Sequence, residues 1–130
     1  MIRWMRDQSQ RPTRLISSDA VRARATTEFV REGYEVAADC VRFDHRLYEA
    51  VPGMLLSVIQ ELPEECASAG LVGHNPASTD FVNAMVGKPV IDNLPTFGIA
   101  ILELYRPWRD ARFGNAKLVA LHSPKSLDGD

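Results

Sequence analysis

The chain has 130 residues, 45% hydrophobic and 25% charged, which is the make-up of one globular domain and excludes a disordered or low-complexity protein. Fifteen Lys and Arg stand against seventeen Asp and Glu, a formal net charge of −2, so nothing pulls the chain globally toward nucleic acid or an anionic membrane, and any anion site must be built locally. Cys40 and Cys66 are too few for a disulfide framework and read as free thiols of a cytoplasmic protein, while no apolar run approaches a membrane span and the first seven residues lack a secretory apolar core.

Residues 1–8 read as a piece of helix with Ile2, Trp4 and Met5 on its apolar side and no capping residue before it, which points to chain missing upstream. Pro12 ends that piece. Arg14-Leu15-Ile16-Ser17 is a short strand, and Ser18 and Asp19 are N-cap candidates for a helix over 20–32 that Gly33 should stop. Val41-Arg42-Phe43 is a second strand. Pro52 opens a helix running to about Leu62, with Met54, Leu55, Val58, Ile59 and Leu62 on one face. The unbroken apolar run over 69–73 reads as a strand buried on both faces, and a helix starts near Pro76, with Phe81, Val82 and Met85 inward. Residues 99–105 form the clearest strand, 106–115 a hairpin loop, and 117–122 a returning strand. Early strand–helix alternation with a late hairpin predicts an α/β domain: a mostly parallel sheet, covered on both faces, with an antiparallel edge.

In such a sheet ligands gather at the carboxyl ends of the strands. Two of those ends carry unusual residues: Ser17 to Thr26, containing Arg22, and Val72-Gly73-His74-Asn75-Pro76. Arg22 falls in the first turn of its helix, where the dipole opposes a cation unless an anion lies between them. Its alternative is a solvated charge paired with Asp19 or Glu28. His74, at a strand end just ahead of a helix, is placed to donate to an anion or move a proton, and its alternative is a buried imidazole bonded to backbone. His45 lies among charges and His122 ends a strand, so the three histidines have no metal-like spacing, and no metal or cofactor is expected. There is no GxSxG elbow and no phosphate loop of the GxxxxGK[ST] type.

These segments together resemble the histidine phosphatase superfamily, and within it the small phosphohistidine phosphatases of the SixA type. The resemblance rests on Ser17-Ser18, Arg22-Ala23-Arg24-Ala25-Thr26, Leu47-Tyr48-Glu49-Ala50, Val72 to Pro76, Pro95-Thr96, Pro107-Trp108 and Ser123-Pro124-Lys125, in that order from about residue 12 to 127. It implies a phosphoglycerate-mutase-like three-layer fold and a phosphoryl group held by two arginines and two histidines, one histidine forming a covalent phosphohistidine that water then hydrolyses. Arg22 is similar to the second arginine and His74 to the second histidine, with Ser17, Tyr48, Glu49, Asn75 and Thr96 beside the substrate, which would be a phosphorylated protein or a small phosphate ester.

The nucleophilic histidine and the first arginine belong to an Arg-His-Gly motif on the family's first strand, and no Arg-His-Gly occurs in these 130 residues. Asp44-His45-Arg46 has the wrong order and position to replace it. A strand, its loop and most of a helix would need about 40–50 residues upstream. Because the strand is central in the resembled sheet, its loss should leave two neighbouring strands without ladder partners, lower stability and favour self-association through open edges.

Overall fold

The computed structural model describes Met5 and residues 11–48, 51–95 and 98–123. Five strands and three helices follow in chain order: β1 (Arg14–Ser17), α1 (Val21–Tyr34), β2 (Val41–Phe43), α2 (Pro52–Gln60), β3 (Ala69–Val72), α3 (Ala77–Val86), β4 (Ile99–Leu104) and β5 (Ala116–His122). The expected mixed α/β architecture is therefore present. Of the first predicted helix, Met5 is helical and the rest lies outside the described residues.

β1 lies between β2 and β3, parallel to both, with Leu15 opposite Val41 and Gly70, and Ser17 opposite Phe43 and Val72. Successive side chains of a strand point to opposite faces. Ile16 thus packs with Leu55, Val58 and Ile59 of α2 and Phe81 and Met85 of α3, whereas Leu15 packs with Met5, Tyr34 and Val36 on the other side. That division makes three layers. β4 and β5 form a separate antiparallel hairpin in which Ile101 faces Ala120 and Leu102 faces Leu118, so Val119 is the bulged residue.

No ladder joins β3 to β4 among the described residues. Between them lies an open cavity of about 1730 Å³, lined by Gly70, Leu71 and Val72 on one side and Ile99 to Leu104 on the other. The hairpin is held by its connections instead: Trp108 Nε1 donates to the Cys66 carbonyl (2.7 Å), Gln60 Nε2 to the Ala111 carbonyl (2.8 Å), and the Gly114 N–H to the Ala84 carbonyl (2.9 Å). Among the described residues the strands therefore fall into two sheets, with β3 and β4 facing each other across the cavity.

Two sequence expectations about helix ends change. Gly33 does not stop α1. The helix continues to Tyr34, and Glu35 takes the left-handed conformation that closes it. Gly33 is buried, and a Cβ there would overlap the Met5 sulfur, so its lack of a side chain serves close packing. Gly33→Ala is therefore expected to destabilise the fold by up to about 2 kcal/mol net, because overpacking against a sealed Met5, about 1–3 kcal/mol, outweighs the roughly 1 kcal/mol gained in helix propensity. Thermal unfolding of the variant measures the sign directly. At the other end, neither Ser18 nor Asp19 caps α1; Ala20 occupies the N-cap and no side chain bonds the first turn.

Candidate functional site

Parallel pairing places the carboxyl ends of β1 and β3 side by side. Ser17 faces Val72, and the Ser18 N–H donates to the Val72 carbonyl at 2.9 Å. The chain leaving β1 and the chain leaving β3 therefore start at one level, which brings Ser18 against His74 although 56 positions separate them. His74 Nε2 lies 2.8 Å from Ser18 Oγ, and Ser18 Oγ accepts from the Ala20 N–H at 3.2 Å. The hydroxyl can donate to Nε2, or accept from it through its second lone pair, according to the tautomer. Where it donates, a neutral ring carries its proton on Nδ1, a donor for an anion.

Tyr48 reaches the same place from the chain beyond β2. Its ring meets His74 edge-on, centroids 6.0 Å apart at 67°. The short 3₁₀ turn His45–Leu47 that delivers it is pinned by Asp44. The Asp44 N–H donates to the Ser17 carbonyl (2.8 Å), and its carboxylate accepts from the Arg46 N–H (3.0 Å) and the Arg46 guanidinium. Arg46 also reaches Glu61 beyond α2 at 2.6 and 2.9 Å.

The Arg46 guanidinium beside Asp44 holds its carboxyl below the ordinary carboxylate range. Folding and ionisation are linked accordingly: the stability Asp44 contributes is present above its unfolded value, about pH 3.9, and falls away as pH drops through the lower folded value. Asp44→Ala removes the turn's cap and should cost about 1–2 kcal/mol at pH 7 and much less at pH 2, measured by denaturant unfolding at both pH values.

Arg22 is exposed on the first turn of α1, a turn without acidic residues, and its guanidinium makes no hydrogen bond or ion pair with the described residues. The alternative of a pair with Asp19 or Glu28 is not what forms: Asp19 binds His45 and Glu28 binds Arg31. Arg24 has a structural role, its Nε donating to the Asp19 carbonyl (2.9 Å) and its guanidinium lying 4.3 Å over the Phe43 ring. Ala20, Arg22, Tyr48 and His74 line an open pocket of about 310 Å³, at the small end of ligand sites. An uncapped helix N-terminus, a guanidinium, an imidazole and a phenol converge there, a set suited to a tetrahedral oxyanion.

Arg22, Tyr48 and His74 are thus brought together. Ser17 is not with them: it is fully buried, its hydroxyl donating to the Ser18 carbonyl at 2.7 Å, and Ser18 is the serine that meets His74. Asn75 is engaged with its own helix and the loop after it. Its amide donates to the Leu94 carbonyl (2.8 Å), while its oxygen accepts from the Thr79 N–H (3.2 Å) and hydroxyl (2.8 Å). Asn75 therefore bonds the first turn of α3 at Thr79 and ties it to the loop leading to Pro95, whereas no side chain caps α1. Glu49 and Thr96 lie outside the described residues. Sequence reasoning passed over Asp19 and His45, whose ring nitrogen Nδ1 sits 3.1 and 3.0 Å from the two carboxylate oxygens. No local pattern signals a pairing across 26 positions. Among the described residues no group of His, Cys, Asp and Glu could hold a metal ion, and no helix is long and apolar enough to cross a membrane.

No protein-family model matches the chain. It is similar to the uncharacterized protein Rv1276c of Mycobacterium tuberculosis strain H37Rv, 30% identical over 131 residues that cover 94% of this chain and 80% of that one. The uncharacterized protein ML1117 of Mycobacterium leprae is 28% identical over 130 residues, covering 94% and 78%. Three solved structures share the fold. The protein designated phosphohistidine phosphatase SixA from Agrobacterium tumefaciens is 26% identical with a TM-score of 0.73, over 95% of this chain and 77% of that one. Its counterpart from Nakamurella multipartitia is 20% identical with a TM-score of 0.77, over the same shares. A protein histidine phosphatase SixA in complex with tungstate is 22% identical with a TM-score of 0.80, over 98% and 78%.

Proposed function

Since this chain belongs to the family of the mycobacterial protein Rv1276c and has the SixA-like fold of the histidine phosphatase superfamily, we propose that it is the phosphoryl-binding body of a SixA-type phosphohydrolase. The observation that carries this reading is the convergence of Arg22, Tyr48 and His74 on one pocket beside the open N-terminus of α1. Arg22 would hold two phosphoryl oxygens through its planar fork, the α1 amides would add donors, and His74 would donate to the oxygen that gains charge as the bond to the leaving group breaks. The tungstate bound by a SixA protein is a tetrahedral oxyanion of the kind this pocket suits.

The covalent step needs a nucleophile, and in this pocket His74 is tied to Ser18 while Arg22 is a cation. In this reading a nucleophilic histidine arrives on a strand seated between β3 and β4, where the cavity runs on to Arg22 and His74. Its imidazole would attack phosphorus, the leaving group would depart, and water would release inorganic phosphate. The 130-residue chain by itself would then bind phosphoryl groups without turning them over. Its substrate would be a phosphorylated protein or a small phosphate ester. The convergence of Arg22, Tyr48 and His74 also supports a second reading, a domain that recognises phosphate and performs no chemistry.

Titration with inorganic phosphate, followed by amide chemical shifts, tests the site. Saturable binding is expected, with Arg22→Ala weakening it at least about tenfold, as loss of a charged hydrogen-bonding partner does. A wild-type chain that binds no phosphate would remove the phosphoryl assignment altogether.

A further inference from the structure

The His45–Asp19 pair belongs to no role assigned above, yet it adjoins two residues that line the pocket, Tyr48 through the His45 ring and Ala20 through the chain after Asp19. His45 Nδ1 is held by both oxygens of Asp19, the residue that follows Ser18 and lies three before Arg22. The His45 ring stacks on Tyr48, centroids 5.3 Å apart and planes 16° apart, and Tyr48 in turn is a pocket wall. The tether spans 26 positions and links the turn that carries Tyr48 to the loop that carries Ser18. Both rings remain open: the His45 side chain is 78% exposed and Tyr48 45%. An exposed histidine tethered parallel to a phenol extends the flat surface of a pocket wall outward from the place where a phosphoryl group would sit.

We propose that His45 is a specificity-determining residue: with Tyr48 it forms an aromatic rim that favours phosphoryl groups carried on flat rings, such as N-phosphorylated imidazoles and aryl phosphates, over those carried on flexible alkyl chains. The inference rests on the phosphoryl-binding reading of the pocket. The phosphoryl group engages Arg22 and His74, and the group it is attached to extends outward past Tyr48. A planar ring there can stack on the rim, whereas an alkyl chain gains little and loses rotational freedom. Asp19 keeps the His45 ring parallel to Tyr48, so the rim is organised before the ligand arrives.

Three probes suffice with the chain as it stands: inorganic phosphate, glycerol phosphate and phenyl phosphate, each titrated into wild type and variants. Wild type is expected to prefer phenyl over glycerol phosphate by about threefold to tenfold, the range of one aromatic contact. His45→Asn keeps a polar group for Asp19 but lacks the ring, and should bring that ratio to within about twofold. Asp19→Asn still accepts from Nδ1 and should retain the preference, while His45→Phe keeps the ring without the tether and should retain part of it. A purely structural role predicts instead that every variant weakens all three ligands alike. Equal affinity of wild type for the two esters, or a ratio unchanged in His45→Asn, overturns the rim while leaving phosphate binding intact. Failure of inorganic phosphate to bind removes the pocket assignment, and the rim with it.

Discussion

A form of the protein in which an Arg-His-Gly strand and its connecting helix precede Met1 is expected to melt more than about 10 °C above the 130-residue chain and to show phosphatase turnover above that of the chain. The stability arm follows from the divided sheet. β3 offers four residues and β4 six, their facing edges unpaired across a cavity of about 1730 Å³. A strand entering there would form ladders on both sides, at about 1 kcal/mol net for each hydrogen bond. It would also put apolar side chains against both layers, since Leu71 and Leu102 border the α2–α3 core and Ile99 the α1 side. A gain of only a few kcal/mol moves the midpoint of a domain of this size by more than about 10 °C. The activity arm follows from the cavity's continuity with Arg22 and His74. Calorimetry and a phosphoramidate hydrolysis assay on the two forms measure both. An unchanged midpoint would mean that the cavity is not a strand site, and a raised midpoint without turnover would leave a phosphate-binding domain.

In that extended form, His74→Ala is expected to lower kcat/KM by about 10²–10³-fold, the effect of removing one preorganised donor from a developing oxyanion, with most of the loss in kcat. The geometry assigns this weight to His74 because its orientation is determined twice: Ser18 engages Nε2 at 2.8 Å and Tyr48 fixes the ring edge-on at 6.0 Å. Ser18→Ala should consequently cause a smaller loss, about tenfold, by freeing the choice of ring nitrogen that carries the proton. If His74→Ala raised KM and left kcat unchanged, the imidazole would be a binding group only. Burst and steady-state kinetics separate the two cases.

Much of the site could be read from local sequence because its main residues stand at element ends. Arg22 follows a strand and a turn, and His74 follows an apolar run and Gly73; a strand's carboxyl end is where an α/β sheet exposes side chains to a ligand. The assignments that changed are those settled by distant contacts. In Ser17-Ser18 the two hydroxyls look equivalent, and only the pairing of β1 with β3 turns Ser18 toward His74 and Ser17 inward. Asn75 follows the histidine directly, yet its amide is engaged by Leu94 and Thr79, leaving it structural. Gly33 has the composition of a helix stop, and the approach of Met5 gives it another purpose.

By itself, then, the sequence determined the element order, the positions of Arg22 and His74 at strand ends, and the absence of an Arg-His-Gly motif from these 130 residues, whereas the two-sided burial expected of residues 69–72 is only partial beside the open cavity. Those properties depend on periodicity, on turn residues and on residue identity, all of which act over a few positions. The tertiary structure alone decided that Ser18 orients His74, that Asp19 tethers His45 beneath Tyr48, that α1 has the open N-terminus, and that the sheet parts between β3 and β4. Each of these depends on which groups, tens of residues apart, reach hydrogen-bonding or van der Waals distance once the core is packed, and no local pattern encodes that distance.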